Sequence, residues 1–306
     1  MNIAIESNNL TKRYSGTIAL KSLSLEISEG EIFGFLGQNG AGKTTFIKIL
    51  LGMCKPSNGE VKIFGDKVST KTKALIGYLP EKISIPGFLR AREFLSFCGR
   101  LSGMSGILLQ KKIEEVLEIV ELKSHSEERT VGFSKGMIQR LGIAQAILHE
   151  PKILLLDEPA SGLDPKGIID LRNIILKANS NYKTTIFLNS HRLLEAEKIC
   201  TRVGILQKGL LVANGKLDEL TRSKNQIKLE LSEFNESLKS LIENISNVFH
   251  FPSNNSAVFE PKEDVELKGI PAMIVEQGGD IIKYERAIEN LEEIFLRLTD
   301  GGEKNV

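Results

Sequence analysis

The chain carries the stretch Gly37-Gln38-Asn39-Gly40-Ala41-Gly42-Lys43-Thr44-Thr45, which contains the complete pattern G-x-x-x-x-G-K-[ST] of a phosphate-binding loop. Its glycines allow successive backbone N–H groups to turn inward around phosphate oxygens. Lys43 adds a positive charge at the β and γ phosphates, and Thr44 offers a hydroxyl to Mg²⁺. The stretch therefore predicts a nucleoside triphosphate site at residues 37–45.

The residues on both sides of this loop predict a strand before it and a helix after it. Segment 30–36, Gly-Glu-Ile-Phe-Gly-Phe-Leu, has the apolar character of a short buried strand. Segment 44–51 is typical of a helix, which Gly52 is expected to end. A helix that begins at the loop points its unpaired amides and the positive end of its dipole at the phosphates. This order predicts an α/β fold.

The composition is that of a globular protein without a nucleic-acid-binding bias. Of 306 residues, 41% are hydrophobic and 26% are charged, and 40 basic against 39 acidic residues leave a formal net charge of +1. No apolar run approaches the roughly twenty residues that span a bilayer, and the first six residues do not resemble a signal peptide. The three cysteines are far apart, which favours a reducing compartment. We therefore expect a cytoplasmic chain with no nucleic-acid partner.

The hydrophobic pattern predicts three regions along the chain. Short apolar runs separated by turns indicate a β-rich core around the loop up to about residue 80. Helical periodicity indicates a helical subdomain at about residues 84–148, inserted into an ATP-binding domain of residues 1–222. An alternating segment at 226–231 and helical patterns near 238–245 and 290–298 indicate a small α+β appendage, residues 223–306, which ends in a polar tail.

Two acidic residues follow a second apolar segment. Residues 153–156, Ile-Leu-Leu-Leu, predict a buried strand that delivers Asp157 and Glu158 to the sheet edge where α/β proteins bind ligands. Because a phosphate loop lies upstream, Asp157 is a candidate Mg²⁺ ligand and Glu158 a candidate for polarising a water molecule. The alternative is a solvated acidic turn. The sequence thus predicts a Mg²⁺–nucleotide site with Thr44 and Asp157 as metal ligands.

Segment 133–140, Phe-Ser-Lys-Gly-Met-Ile-Gln-Arg, lies between the loop and the acidic pair. With motifs in this order, roughly residues 3–220 resemble the ATP-binding subunit of an ABC transporter, and the segment is similar to the signature sequence of that family. Lys135 replaces the first of two glycines and Met137 replaces a glutamine, whereas Ser134 and Gly136, which the family uses on the γ-phosphate, are kept. Ser134 is also a good helix N-cap, so its hydroxyl and the nearby amides would face an anion.

The resemblance implies a P-loop NTPase of the ABC ATPase type, with a β-rich core, an inserted helical subdomain and the small α+β appendage. It also implies a second ATP-binding subunit, in a homodimer or a heterodimer, whose phosphate loop faces this signature. Tyr14 matches the aromatic residue that stacks on adenine, although a core tyrosine is the alternative. Asp164 ends the segment Ser161-Gly162-Leu163-Asp164, which resembles the family's loop that touches the partner subunit, and His191 resembles the switch histidine that contacts the γ-phosphate.

One position departs from the family at the expected metal site. Glu81 stands where the family commonly has a metal-binding glutamine. Its carboxylate could still bind Mg²⁺ directly or through water, or it could be a surface glutamate without a ligand.

The resemblance implies a Mg²⁺-dependent ATPase that powers transport through a separate integral membrane permease. Lys43, Glu158 and His191 would be catalytic, with ATP and Mg²⁺ as cofactors. The variant signature, the appendage and segment 291–296 resemble the ABC-2 exporter branch, so export is favoured over import. The permease would hold the chain peripherally on the inner face of the cell membrane, docked on the segment after Glu81 and the helical subdomain.

Two other functions remain as alternatives. The chain could be a soluble ABC ATPase that acts on ribosomes or DNA, but its single phosphate loop and the absence of a basic bias argue against this. The C-terminal appendage could also be a module that senses a ligand, although its residues reveal no ligand chemistry.

Overall fold

The computed structural model describes residues 2–288 and 290–300. The chain forms two compact units, Met1–Leu217 and Asp218–Val306, and each has a hydrophobic core of its own. The sequence pattern predicts the boundary between the two units further along the chain, after residue 222. The appendage is predicted to end in a polar tail, and its last residues, 301–306, lie outside the described residues. Within the described ranges, no helix is both long enough and apolar enough to cross a bilayer.

The first unit contains two sheets and the helices that cover them. Its strands are β1 (Ile3–Tyr14), β2 (Thr17–Ser28), β3 (Ile32–Leu36), β4 (Asn58–Ile63), β5 (Asp66–Lys67), β6 (Ile76–Leu79), β7 (Ile153–Asp157), β8 (Thr185–Ser190), β9 (Arg202–Gln207) and β10 (Leu210–Lys216). Its helices are α1 (Lys43–Leu50), α2 (Thr70–Lys73), α3 (Ala91–Leu101), α4 (Gly106–Ile119), α5 (Lys135–Ile147), α6 (Pro165–Tyr182) and α7 (Leu193–Glu197), and α8 (Leu217–Thr221) lies at the boundary of the two units.

The central sheet positions the phosphate-binding loop. Its strand order is β10-β9-β3-β8-β7-β6, with β6, β7, β8, β3 and β9 parallel to one another and β10 antiparallel to β9. Strands β3, β7 and β8 are buried along their whole length, as is typical of parallel strands covered on both faces. Because the three strands are parallel, the loop after β3, the acids after β7 and the residues after β8 lie at one edge of the sheet. The predicted α/β class is confirmed.

Three phenylalanines hold helix α1 against this sheet. The ring of Phe46 lies 5.4 Å from that of Phe35 on β3 and 5.6 Å from that of Phe187 on β8, measured between centroids. All three side chains are fully buried. Burial of a side chain of this size stabilises a fold by about 1.5–3 kcal/mol. The packing of the three rings therefore fixes the position of the start of α1, where the loop ends.

The helical region lies between β6 and β7 and comprises α3, α4, α5 and two 3-10 turns, Lys123–His125 and Thr130–Gly132. Helix α4 buries Leu109, Ile113, Val116 and Leu117, the spacing of one helical face. Helix α5 begins directly after Ser134, whose Oγ accepts a hydrogen bond from the backbone N–H three residues later.

The second sheet of the unit is antiparallel, in the order β2-β1-β4-β5.

The C-terminal unit has the β-α-β-β-α-β order of a ferredoxin-like fold. Its elements are β11 (Arg222–Leu231), α9 (Glu236–Ile245), β12 (Ser246–Ser253), β13 (Ser256–Pro261), α10 (Ile270–Glu276), β14 (Ile281–Ile288) and α11 (Leu291–Asp300). The four strands form an antiparallel sheet in the order β12-β13-β11-β14. Alternate residues of β11, including Ile227, Leu229 and Leu231, face its core with residues of α9 and α10.

The element bounds differ slightly from the sequence prediction at several places. Strand β3 begins at Ile32 rather than at residue 30, because Gly30 has a φ of 78° and belongs to the preceding turn. Helix α1 begins one residue earlier than predicted, at Lys43, and α11 runs from Leu291 to Asp300 rather than from 290 to 298.

Candidate functional site

The phosphate-binding loop joins the end of β3 to the start of α1. Gly42 is the N-cap of α1 and has a φ of 113°. A side chain on Gly42 would overlap with the carbonyl oxygen of Ala19, and a side chain on Gly37 would overlap with that of Leu206. Glycine is therefore required at both positions by close backbone contacts, and at Gly42 also by its dihedral angle.

The side chain of Lys43 folds back over this loop. Its Nζ donates hydrogen bonds to the carbonyl oxygens of Gly37, at 2.6 Å, and Gln38, at 3.1 Å. The same Nζ lies 3.8 Å from Glu158 Oε1, and only 5% of the side chain is exposed. Burial lowers the pKa of Lys43, while Glu158 and Asp157 act in the opposite direction. The ammonium group is thus placed where it can donate to an anion held in the loop.

The two acids at the end of β7 have different surroundings. Asp157 is buried and accepts a hydrogen bond from Asn189 Nδ2 at the end of β8. Burial raises the pKa of Asp157, and this hydrogen bond opposes the effect. Glu158 has a φ of 50°, in the left-handed region that residues with a side chain seldom adopt. The chain therefore turns sharply after Asp157, and the Glu158 carboxylate lies near Lys43 and His191.

His191 follows β8 and contacts Glu158 directly. Its Nδ1 lies 2.7 Å from Glu158 Oε2, and its backbone N–H donates to the same oxygen at 3.4 Å. The His191 side chain is 45% exposed, so it connects the buried glutamate with the accessible side of the site. Glu158 Oε1 is buried and has no hydrogen-bond partner among the described residues. Such an oxygen is placed to bind a water molecule or a ligand group.

A cavity of about 210 Å³ beside the loop brings together most of the predicted residues. The predicted residues that line it are Asn39, Gly40, Gly42, Lys43, Thr44, Thr45, Glu81, Glu158 and His191. Two further lining residues, Ala19 and Asn189, are not anticipated by the motifs. Asn189 is a polar residue near the end of a buried strand, two positions before His191, and this placement is the signal that could have identified it.

Tyr14, predicted to stack on adenine, lies at the end of β1 and does not line the cavity. Its side chain is 45% exposed, and its hydroxyl lies 3.8 Å from Cys54 Sγ. The Nζ atom of Lys12 lies 5.0 Å from the centroid of the ring. The ring thus has exposed surface that could stack on a base, while a cation lies over it. Other predicted residues that do not line the cavity are Gly37, Gln38 and Ala41 in the loop and Asp157 behind Asn189.

Ser134, Gly136 and Asp164 form a separate group that does not line the cavity. Ser134 is the N-cap of α5 and Asp164 the N-cap of α6, and each side chain accepts a backbone N–H of its own helix. The two helix starts are neighbours, since a Cβ on Gly136 would lie 4.0 Å from Leu163 Cδ2. The site residues predicted from the sequence therefore fall into two groups, one around the loop and one at the starts of α5 and α6.

The oxygen atoms near the loop suit a Mg²⁺ ion that is shared with a nucleotide better than a metal ion that is held by protein ligands alone. The described part of the chain has no group of three or more His, Cys, Asp or Glu side chains that could bind a metal ion. Thr44 and Glu81 line the cavity, and Asp157 is buried at the adjoining strand end. Mg²⁺ prefers oxygen ligands and is commonly held by one or two carboxylates together with phosphates and water. The residues present fit an ion that is bound largely through a nucleotide.

Comparison with known proteins yields one consistent family. A family model described as ABC transporter matches residues 20–161. The bacitracin transport ATP-binding protein BcrA of Bacillus licheniformis is 36% identical over 308 residues, which cover 99% of this chain and 99% of the relative. The linearmycin resistance ATP-binding protein LnrL of Bacillus subtilis is 30% identical, with 96% of this chain and 98% of the relative covered.

Solved structures agree with these relatives. A dimeric bacterial ABC transporter cassette superimposes with a TM-score of 0.62 and 28% identity, over 70% of this chain and 98% of that one.

Proposed function

The chain belongs to the ABC transporter family as an ATP-binding subunit, and from this premise we propose that it hydrolyses ATP with Mg²⁺ and drives export through a separate membrane permease. One observation carries the catalytic part of this proposal. The carboxylate of Glu158 lies between Lys43 Nζ, at 3.8 Å, and His191 Nδ1, at 2.7 Å, in a cavity that the phosphate-binding loop lines. This arrangement suits a carboxylate that acts on a water molecule beside a terminal phosphate.

The loop at residues 37–45 binds the phosphates of ATP through its backbone N–H groups, and Lys43 donates to the β and γ phosphates. The position of these groups at the start of α1 supports this role, because the helix dipole and the unpaired amides there both favour an anion. Hydrogen bonds from Lys43 Nζ to carbonyl oxygens of the loop hold the side chain over the loop. The side chain therefore needs little rearrangement to donate to a phosphate bound there.

Thr44 and Asp157 would hold Mg²⁺, and Glu81, which lines the cavity together with Thr44, would provide a further oxygen. The ion, when bound, neutralises charge on the phosphates. Asp157 suits this role because Asn189 orients its carboxylate and because burial makes its unpaired negative charge costly. Glu81 in place of glutamine adds negative charge beside the nucleotide, which strengthens attraction for the cation and repels the phosphates.

Glu158 orients the attacking water molecule and accepts its proton, and His191 contacts the γ-phosphate. The Oε1 atom of Glu158 has no hydrogen-bond partner among the described residues, so it is available to that water molecule. His191 fixes the other carboxylate oxygen at 2.7 Å while its exposed ring remains free to reach a phosphate. Most of the rate enhancement comes from such positioning and from electrostatic stabilisation.

A second ATP-binding subunit completes the site. Ser134, Gly136 and Asp164 do not line the cavity of their own chain, and the starts of α5 and α6 present helix amides that suit an anion. The known dimeric ABC transporter cassette, which is 28% identical, supports pairing of two subunits. Two ATP molecules then lie at the interface, each between the loop of one subunit and the Ser134 segment of the other.

The names of the relatives support transport of a compound out of the cell. One relative is named for bacitracin transport and another for linearmycin resistance. The permease docks on the helical region, where large apolar side chains are exposed: Phe88, Phe97, Leu101, Ile107 and Leu108. This docking places the chain peripherally at the inner face of the membrane.

Replacement of Glu158 by Gln tests the catalytic assignment. The change keeps the size of the side chain but removes the negative charge that accepts a proton, so ATP binding persists while hydrolysis falls by about 10²- to 10⁴-fold. Glu118→Gln, an exposed glutamate on α4, is the matched control and retains full activity. Hydrolysis by the Glu158→Gln protein at nearly the normal rate would refute the role of Glu158.

The docking proposal is tested by co-purification with the permease. Replacement of Phe88 and Leu108 by glutamate introduces charge into the exposed apolar surface, and we expect the permease to be lost while ATP binding remains. Retention of the permease by this double variant would show that it docks elsewhere.

A further inference from the structure

Position 135 distinguishes this chain from the signature pattern of its family, which has glycine there. Lys135 is the first residue of α5 and directly follows the N-cap Ser134. Its side chain is exposed. A flexible cation thus stands beside the two residues, Ser134 and Gly136, that match the γ-phosphate contacts of the family.

The Lys135 side chain lies on the loop that precedes α6. A Cβ on Gly162 would lie 3.0 Å from Lys135 Cε and 3.5 Å from its Cδ, and it would overlap with Nζ. Gly162 also has a φ of 68°, which disfavours any other residue. The absence of a side chain at Gly162 therefore makes room for the ammonium group of Lys135 against this loop.

The electrostatic surroundings of Lys135 favour an anionic partner. The dipole of α5 disfavours a cation in its first turn, and the start of α6 lies close by. The carboxylate of Asp164, two residues after Gly162, acts as an N-cap and accepts the backbone N–H of Gly167 at 3.0 Å. In the ranges that the structure describes, no carboxylate oxygen lies within 4.0 Å of Lys135 Nζ.

We propose that Lys135 binds the γ-phosphate of the ATP molecule held by the loop of the second subunit, and so helps this signature to recognise ATP rather than ADP. The proposal rests on the two-subunit site of the proposed function. Ser134 supplies a hydroxyl and the α5 amides supply N–H donors at the same place, and Lys135 adds the full positive charge that they lack. A terminal phosphate is the anionic group that the partner loop would present there.

A purely structural role of Lys135 and a role in phosphate binding predict different effects of substitutions at this position. If Lys135 only packed its aliphatic carbons on Gly162, methionine would serve as well as lysine. If its charge binds a phosphate, methionine should fail and arginine should restore the function.

The test measures ATP-driven dimerisation of the full chain by analytical ultracentrifugation, in the Glu158→Gln background so that ATP persists. With ATP and Mg²⁺, adding Lys135→Met should raise the dissociation constant of the dimer at least about tenfold, the loss expected for a charge-assisted hydrogen bond. Lys135→Arg should restore most of the affinity. Lys111→Met, which removes an exposed lysine of α4, is the matched control and should leave dimerisation unchanged.

The possible failures can be told apart. If the Glu158→Gln parent stays monomeric with ATP, the two-subunit site is refuted and the role of Lys135 with it. If the parent forms a dimer with ATP and the Lys135→Met protein forms it equally well, only the role of Lys135 is refuted. ATP binding by the isolated subunit, measured by calorimetry, should be the same in all variants, because the contact is made only across the interface.

Discussion

Replacement of Asn189 by alanine should weaken Mg²⁺ binding, and the size of this effect should depend on pH. Asn189 is buried, lines the cavity and donates a hydrogen bond from Nδ2 to Asp157 Oδ1. This bond favours the ionised form of Asp157, whereas burial disfavours it. Since a metal ion binds the ionised carboxylate, the asparagine prepares Asp157 for its proposed role.

The size of the effect follows from the charge on the acceptor. A hydrogen bond to a charged group contributes about 1.5–3 kcal/mol, so its loss should weaken Mg²⁺ binding by about ten- to a hundredfold. The pKa of Asp157, already raised by burial, should rise further in the variant. Protons then compete more strongly with the metal, so the defect should be greatest at acidic pH and should decrease as the pH rises.

The assay is the rate of ATP hydrolysis as a function of Mg²⁺ concentration, repeated from mildly acidic to alkaline pH. Asn179→Ala is the matched control, because Asn179 Nδ2 donates to two backbone carbonyls, those of Gly30 at 2.9 Å and Thr184 at 2.8 Å, and not to Asp157. This control should lower stability without changing the Mg²⁺ requirement. An unchanged requirement in Asn189→Ala, or the same pH-dependent loss in both variants, would refute the reasoning.

Three further outcomes can be measured. Burial raises the pKa of Asp157, so at pH values above its ordinary pKa the ionised carboxylate lowers the stability of the folded chain. Asp157→Asn should therefore raise the melting temperature measured without Mg²⁺ at neutral pH, and this gain should disappear at acidic pH. The same change should abolish Mg²⁺-dependent hydrolysis. Gly42→Ala, at a φ of 113° and against a backbone carbonyl, should lower the unfolding free energy by about 1–3 kcal/mol and abolish ATP binding, as measured by urea denaturation and calorimetry. Lys112→Met removes a buried ammonium that binds two exposed glutamates and a tyrosine hydroxyl, and should lower the unfolding free energy by about 2 kcal/mol. Lys111→Met, which removes an exposed neighbouring lysine, should leave it unchanged.

The loop and its flanking elements could be predicted because their physical causes are local. The phosphate-binding pattern spans nine consecutive residues, 37–45, and its glycines, lysine and helix start are adjacent in the chain. The same holds for Ser134, a helix N-cap recognised from its own segment. Short-range stereochemistry decides such features, so a single sequence is sufficient to find them.

Contacts that depend on strand register or on chain reversal could not be predicted in this way. Asn189 reaches Asp157 because β7 and β8 are parallel with these two residues paired, and no local pattern specifies that register. The contact between Lys135 and Gly162 likewise joins the starts of two helices. In the C-terminal unit, the alternation at 226–231 predicts strand β11, but only the folded chain shows that β11 lies between β13 and β14.

Two neighbouring acids can serve different purposes here because the backbone turns between them. Asp157 ends β7 inside the sheet, where Asn189 is its partner and burial raises its pKa. Glu158 adopts a φ of 50°, and its carboxylate contacts Lys43 and His191 instead. A strand that continued straight would send consecutive side chains to opposite faces of the sheet, and only one of them could reach the loop. The strained conformation therefore brings both carboxylates to one edge while it keeps their environments distinct, which suits the roles proposed for Asp157 as a metal ligand and for Glu158 in acting on water.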